Sequence, residues 1–148
     1  MKIPSVAPIQ DLALFLLLHE VEGAESPAKL AEALEKVCQK LSKQIAPLFG
    51  AGGFHAVIAR AVYLAKEDFP FLEGVKVELQ PGICLAGLGE VIIGQDAARV
   101  PPALAAVLVC FMDLMCSLIG KELTHRQFVK VWPEVPMSPA MMCAKEER

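Results

Sequence analysis

Runs of lysine or arginine are missing from this sequence, and so is any surplus of positive charge: 14 Lys and Arg stand against 17 Asp and Glu, a formal net charge of −3. A chain that neutralises nucleic-acid phosphates presents a basic stripe, so no nucleic-acid partner is expected. No C-x-x-C pair occurs among the five cysteines, Cys38, Cys84, Cys110, Cys116 and Cys143. Their odd number and irregular spacing do not make a secreted disulfide framework. Near the start, Pro4, Pro8, Gln10 and Asp11 interrupt any signal-peptide core, and acidic "HEVEGAES" follows where a small-residue cleavage site would stand. The expected setting is the cytoplasm, with reduced thiols.

Apolar residues, by contrast, are abundant. They make up 55% of the chain, against a usual ~45–50% in soluble domains. The surplus has three outlets: a large core, a subunit interface or a membrane. The segment "VPPALAAVLVCFMDLMCSLI" is 20 residues long with one charge, close to the ~20 residues that span a bilayer. Asp113 near its middle would cost about 2.5–3.5 kcal/mol there, and no aromatic belt or basic cluster marks its ends. It reads as a central core helix, and no membrane partner is expected.

The helical pattern is strongest in the first half. "IQDLALFLLLHEVE" is a short apolar helix from about Ile9 to Val21. Ser26 as N-cap and Pro27 at the first helical position open the next one. Its apolar face carries Leu30, Leu34, Val37, Leu41, Ile45 and Leu48, with Glu32, Glu35, Lys36, Lys40 and Lys43 over much of the other side. Pro47 should end or kink it. A further helix over about Gly53–Glu67 buries Phe54, Val57, Ile58, Ala61, Val62 and Ala65. Alternation at Val75, Val77 and Leu79 before Pro81-Gly82 allows a small hairpin, which two strands alone would barely stabilise. A short helix is expected within "CLAGLGEVIIG", then the long helix Pro101–Ile119. Thr124 and Gln127 read as a capping box for a separate last helix, with Leu123 and Phe128 as its hydrophobic staple, so a break is expected around Gly120–Leu123. Pro133 ends that helix.

The expected fold is therefore mainly α: a compact single-domain bundle of five or six helices over 9–133, with a small hairpin near 75–85. A loose lead-in at 1–8 and a flexible tail at 134–148, rich in proline, complete the chain.

Little of the remainder resembles chemistry. "LFGAGGFHAVIARA" places three glycines before a helix, but a phosphate loop follows a strand and a Walker loop ends in Gly-Lys-Ser or Gly-Lys-Thr. Here a helix precedes and no lysine follows Gly53, so the glycines of Gly50–Gly53 should make a tight helix–helix turn with backbone angles closed to other residues. His19, Glu20 and Glu22 are consecutive or nearly so and do not share one helix face, whereas a metal needs three or four convergent ligands. Cys110 and Cys116 point about 240° apart at ~100° per residue, too far round one helix to bridge. The three histidines, His19, His55 and His125, are scattered, and His55 invites a phosphotransfer role only through its helical setting. "ELTHRQFVKVW" resembles the opening of a response-regulator helix-turn-helix over about ten residues, but prolines follow where a recognition helix would be needed. No catalytic, cofactor-binding or metal-ligating residue is assigned, and no cofactor is expected.

One stripe remains. At helical spacing Ala106, Cys110, Asp113, Ser117 and Gly120 fall in a line along the long helix, while Leu104, Leu108, Phe111, Met115 and Leu118 occupy the remaining arc. Small residues in a line let another backbone approach closely, and Asp113 among them must be solvated or paired. The bland reading is one wet edge on a core helix. The sharper one is a subunit interface, with Asp113 paired to Arg60 or Arg126. The expected function is a non-enzymatic, homodimeric interaction or regulatory module. The alternative is a small-ligand sensor with an apolar pocket between helices lined by Met, Cys and Phe; a membrane-associated helical protein ranks third.

Overall fold

A computed structural model describes residues 8–20, 26–78 and 84–142. Six α-helices lie among them: α1 Pro8–Glu20, α2 Pro27–Phe49, α3 Ala51–Ala65, α4 Leu88–Val91, α5 Val100–Ile119 and α6 Lys121–Val131. Between α3 and α4 come a 3₁₀ turn, Pro70–Gly74, and the strands β1 Lys76–Val77 and β2 Leu85–Ala86. The fold is mainly α, with the small hairpin where the alternation suggested it.

Helix α2 starts where its punctuation says: Ser26 Oγ accepts the Lys29 N–H at 3.3 Å, and Pro27 takes the first helical position. Leu30, Leu34, Val37, Leu41 and Ile45 are buried, while Leu48 is half-exposed where the helix leaves the core. Pro47 does not stop the chain at once; it sits in the last turn, and the helix ends two residues later at Phe49. A proline there removes one hydrogen bond from a turn that is about to end anyway.

Helix α5 is long and apolar enough to cross a membrane by length and composition alone. In this fold it packs against α1, α2, α3 and α6. Nine of its residues, from Val100 to Met115, are buried. An aromatic ladder crosses it. Phe54 of α3 meets Phe111 edge-on at 5.7 Å, Phe111 meets Phe128 of α6 at 6.4 Å, and Phe128 meets Trp132 at 5.7 Å. Each fully buried Phe of such a ladder is worth roughly 1.5–3 kcal/mol of burial, so the ladder ties three helices into one core.

A break separates α5 from α6, but not through the expected capping box. Gly120, with φ +90° and ψ 155°, forms the break, and Thr124 lies inside α6, where its hydroxyl donates to the Gly120 carbonyl at 2.8 Å. Gln127 is buried and accepts from Gln44 Nε2 of α2 at 2.8 Å. Gly120 reverses the chain first, so Lys121–Leu123 already form the first turn and nothing is left for Thr124 to cap. The Gly50 turn is corrected in part. Only Gly50 takes a positive φ, +89°; Gly52 and Gly53 are ordinary residues of α3. Gly53 owes its lack of a side chain to proximity, because a Cβ there would lie 2.6 Å from Phe49 Cβ.

The two strands pair antiparallel, Lys76 opposite Ala86 and Val77 opposite Leu85. Pro81-Gly82 lies outside the described residues. Beyond α6, the prolines that suggested a loose tail do not keep residues 134–142 off the core. Val135 and Met142 are buried, and a 3₁₀ turn, Pro139–Met142, packs against α6.

Candidate functional site

Helices α3 and α5 run antiparallel. Ala56 and Val57, early in α3, line a groove with Ser117 and Leu118, late in α5, while Glu67 and Asp68 after α3 act on Cys110 nearer the middle of α5. The groove has a volume of about 230 Å³, and Arg60 and Leu114 complete its walls. Apart from Arg60 and the Ser117 hydroxyl, the side chains that line it are apolar. Leu118 is 59% exposed at its edge. An exposed leucine beside an open apolar groove marks a contact surface when the two form one apolar patch.

Charge of both signs borders this face. The Arg60 guanidinium lies 5.2 Å from the centre of the Tyr63 ring and the Lys66 ammonium 5.3 Å from it, so two cations share one ring, half-exposed on α3. Directly after Lys66 come Glu67 and Asp68, and with Asp113 they set Cys110 amid carboxylates. Burial first, then Asp113, Asp68 and Glu67, push its thiol above the ordinary range. The thiol is thus held protonated, the opposite of an activated nucleophile.

Of the seven interface candidates, Arg60 and Ser117 come together in the groove, and Cys110 and Asp113 lie half-buried on α5 within one turn of Leu114. Ala106 opens instead onto a cleft shared with α1, next to Gln10, Asp11 and Leu14. Gly120 is the exposed junction between α5 and α6. Arg126 lines a separate cleft with Glu122, His125, Val129 and Pro139. The reading from sequence missed Ala56, Val57, Leu114 and Tyr63, and it put Leu118 on the core arc. In a helix apolar nearly all round, periodicity carries no sign of which leucine meets solvent.

The histidines serve as fasteners. His19 Nε2 meets Glu134 Oε2 at 2.7 Å, His55 Nε2 meets the Val77 carbonyl at 3.0 Å, and His125 Nε2 meets the Met137 carbonyl at 3.0 Å. Each binds a peripheral segment to the bundle, and the three lie against different partners. Glu134 is held below the ordinary carboxylate range by its own backbone hydrogen bond and by His19. Glu20, next to His19 at the end of α1, acts similarly. Its carboxylate, 4% exposed, accepts from the Trp132 indole N–H and from Lys40 Nζ, each at 2.7 Å. No group of three or more His, Cys, Asp or Glu arranged for a metal ion occurs among the described residues; Glu22 lies outside them. Phe111, Met112 and Met115 of α5 are fully buried.

Comparison with protein-family models, with curated protein sequences and with solved structures finds no match to this chain.

Proposed function

We propose that this chain is a helical interaction module that pairs with a second copy of itself through the α3–α5 face. The observation that carries the reading is the open apolar groove of Ala56, Val57, Leu114 and Leu118, with Leu118 largely in solvent. Covering such a face removes apolar area from water, the main driving force of association. The charges around it favour a like partner. A two-fold axis sets this mixed-charge patch against a second copy of itself, which puts the Arg60 and Lys66 cations of one copy within the same interface as the Asp113, Glu67 and Asp68 carboxylates of the other. Complementary rims of this kind set register and discourage other partners.

Size-exclusion chromatography with light scattering tests this directly. The wild-type chain runs as a dimer. Leu118→Glu, which puts a charge on a side chain already at the surface, yields a monomer with an unchanged circular dichroism spectrum. Asp113→Lys weakens the dimer by setting like charges opposite each other. A wild-type monomer at high micromolar concentration overturns the reading, and so does a dimer indifferent to Leu118→Glu.

A further inference from the structure

Two cysteines that the α3–α5 face does not use, Cys38 of α2 and Cys84 just before β2, have the Glu35 carboxylate as a common neighbour. Glu35 of α2 accepts the Cys84 N–H through Oε2 at 2.6 Å and the Leu85 N–H through Oε1 at 2.9 Å, and Gln39 Nε2 donates to the same Oε2 at 2.8 Å. This fork fastens the start of β2 onto the turn of α2 that spans residues 35–39. Cys38 belongs to that turn, three residues after Glu35 and so on the same side of the helix. Both cysteines are buried, Cys38 at 2% exposure and Cys84 at 9%, and both are free thiols. The Cys84 thiol also acts on Cys38: burial first, then Cys84 and Glu35, push the Cys38 thiol well up. Burial and then Glu35 push Cys84 up to about 11.

We infer that Cys38 and Cys84 form a latent disulfide site, which a low-molecular-weight disulfide converts into a covalent strap between α2 and the hairpin. Cys84, the less buried of the two, loses its proton and attacks one sulfur of the reagent R–S–S–R; a Cys84–S–S–R bond forms and R–S⁻ departs. Cys38 in turn loses its proton and attacks the Cys84 sulfur, and the second R–S⁻ departs. The two released thiolates take up the two protons, so two cysteines are oxidised and one R–S–S–R is reduced to two R–SH. Because both thiols are held protonated near neutrality, the exchange is slow, as suits a site that registers prolonged oxidation. The strap closes a loop that contains all of α3, and such closure stabilises by restricting the unfolded chain.

The test incubates the reduced full-length protein with oxidised glutathione and maps it by mass spectrometry after trypsin, without reduction. The expected product joins the peptide Val37–Lys40 to the peptide Val77–Arg99, two hydrogens lighter than the separate pair. Titratable thiols in the denatured protein fall by two, and the oxidised protein melts at a higher temperature than the reduced one. Cys38→Ala abolishes that rise and leaves a glutathione adduct on Cys84, whereas Cys110→Ala changes neither result. Wild-type protein that stops at a glutathione adduct on Cys84, links through Cys110 or Cys116, or keeps all its thiols overturns the inference. If Cys38→Ala fails to fold, the wild-type peptide map decides alone. Oligomeric state plays no part in this result, so it stands or falls separately from the proposed dimer.

Discussion

The junction between α2 and α3 and the junction between α5 and α6 are the same device used twice. Gly50 has φ +89° and ψ 160°, and Gly120 has φ +90° and ψ 155°. The Gly50 N–H donates to the Ala46 carbonyl at 2.5 Å and its carbonyl accepts from the Phe54 N–H at 3.1 Å. Gly120 repeats the pattern, with Cys116 before it at 2.9 Å and Thr124 after it at 3.1 Å. One residue thus closes one helix and opens the next, in a backbone region nearly closed to residues with a Cβ. The surroundings differ. Two more glycines and the Phe49 contact follow Gly50, whereas Gly120 leads into polar residues and a threonine that adds a second bond to its carbonyl. Both junctions are legible as breaks, at Gly50–Gly53 and around Gly120–Leu123; in each a single glycine makes the turn, and the capping-box pattern four residues after Gly120 assigns Thr124 a role it does not have.

Four measurements test how far the equivalence goes. The largest effect falls on the junction glycines themselves. Gly50→Ala and Gly120→Ala should each destabilise by about 1–3 kcal/mol, the cost of forcing an L-residue into this region. An added Cβ meets no atom within 4 Å at either site, so backbone strain alone sets the loss and the two should match. Urea unfolding that gives clearly unequal losses breaks the comparison.

A smaller effect separates the junctions. Thr124→Val keeps the buried shape and removes the hydroxyl bond, and should cost about 0.5–1.5 kcal/mol. Thr124→Ser, which retains the hydroxyl, loses the methyl contact only. The corresponding residue at the other junction, Phe54, has no hydroxyl. If Thr124→Val melts with the wild type, the second bond to Gly120 contributes nothing.

The third effect is smaller and opposite in sign. Gly52 lies exposed in the first turn of α3, with φ in the ordinary range and room for a Cβ. Gly52→Ala should stabilise by up to about 0.5 kcal/mol by lowering unfolded-chain entropy. Gly53→Ala gains nothing, since its Cβ would press on Phe49. Thermal melts in which both substitutions stabilise equally would show that Phe49 yields freely.

The smallest expected effect is none at all. Millimolar ATP or NAD should leave the melting temperature unchanged, because the glycines follow a helix rather than a strand and no lysine stands beside them. A rise in melting temperature that Gly50→Ala removes would make the first junction a ligand loop and end its likeness to the second.

What was legible in the sequence follows from local physics. Ser26-Pro27 and the spacing of Leu30, Leu34, Val37, Leu41 and Ile45 determine α2 because capping and amphipathicity act within one helix. The same holds for the existence of α5 and for the short alternation around Val77. The candidate groove was half legible. Arg60 and Ser117 were singled out, but Leu118 was placed inside, because an almost uniformly apolar helix has no periodic contrast to read.

The chain by itself therefore determined helix content, helix order and the apolar surplus that demands a large core or a covered face. The tertiary structure alone decided which side of α5 meets α3, that Thr124 is not the cap of the last helix, and that Glu35 reaches across to the hairpin. It also sent His19, His55 and His125 to three different segments. The division has one physical cause. Propensity, capping and hydrophobic period are set by neighbours a few residues away, whereas burial, ion partners and groove edges depend on contacts between segments that only the packed chain brings together.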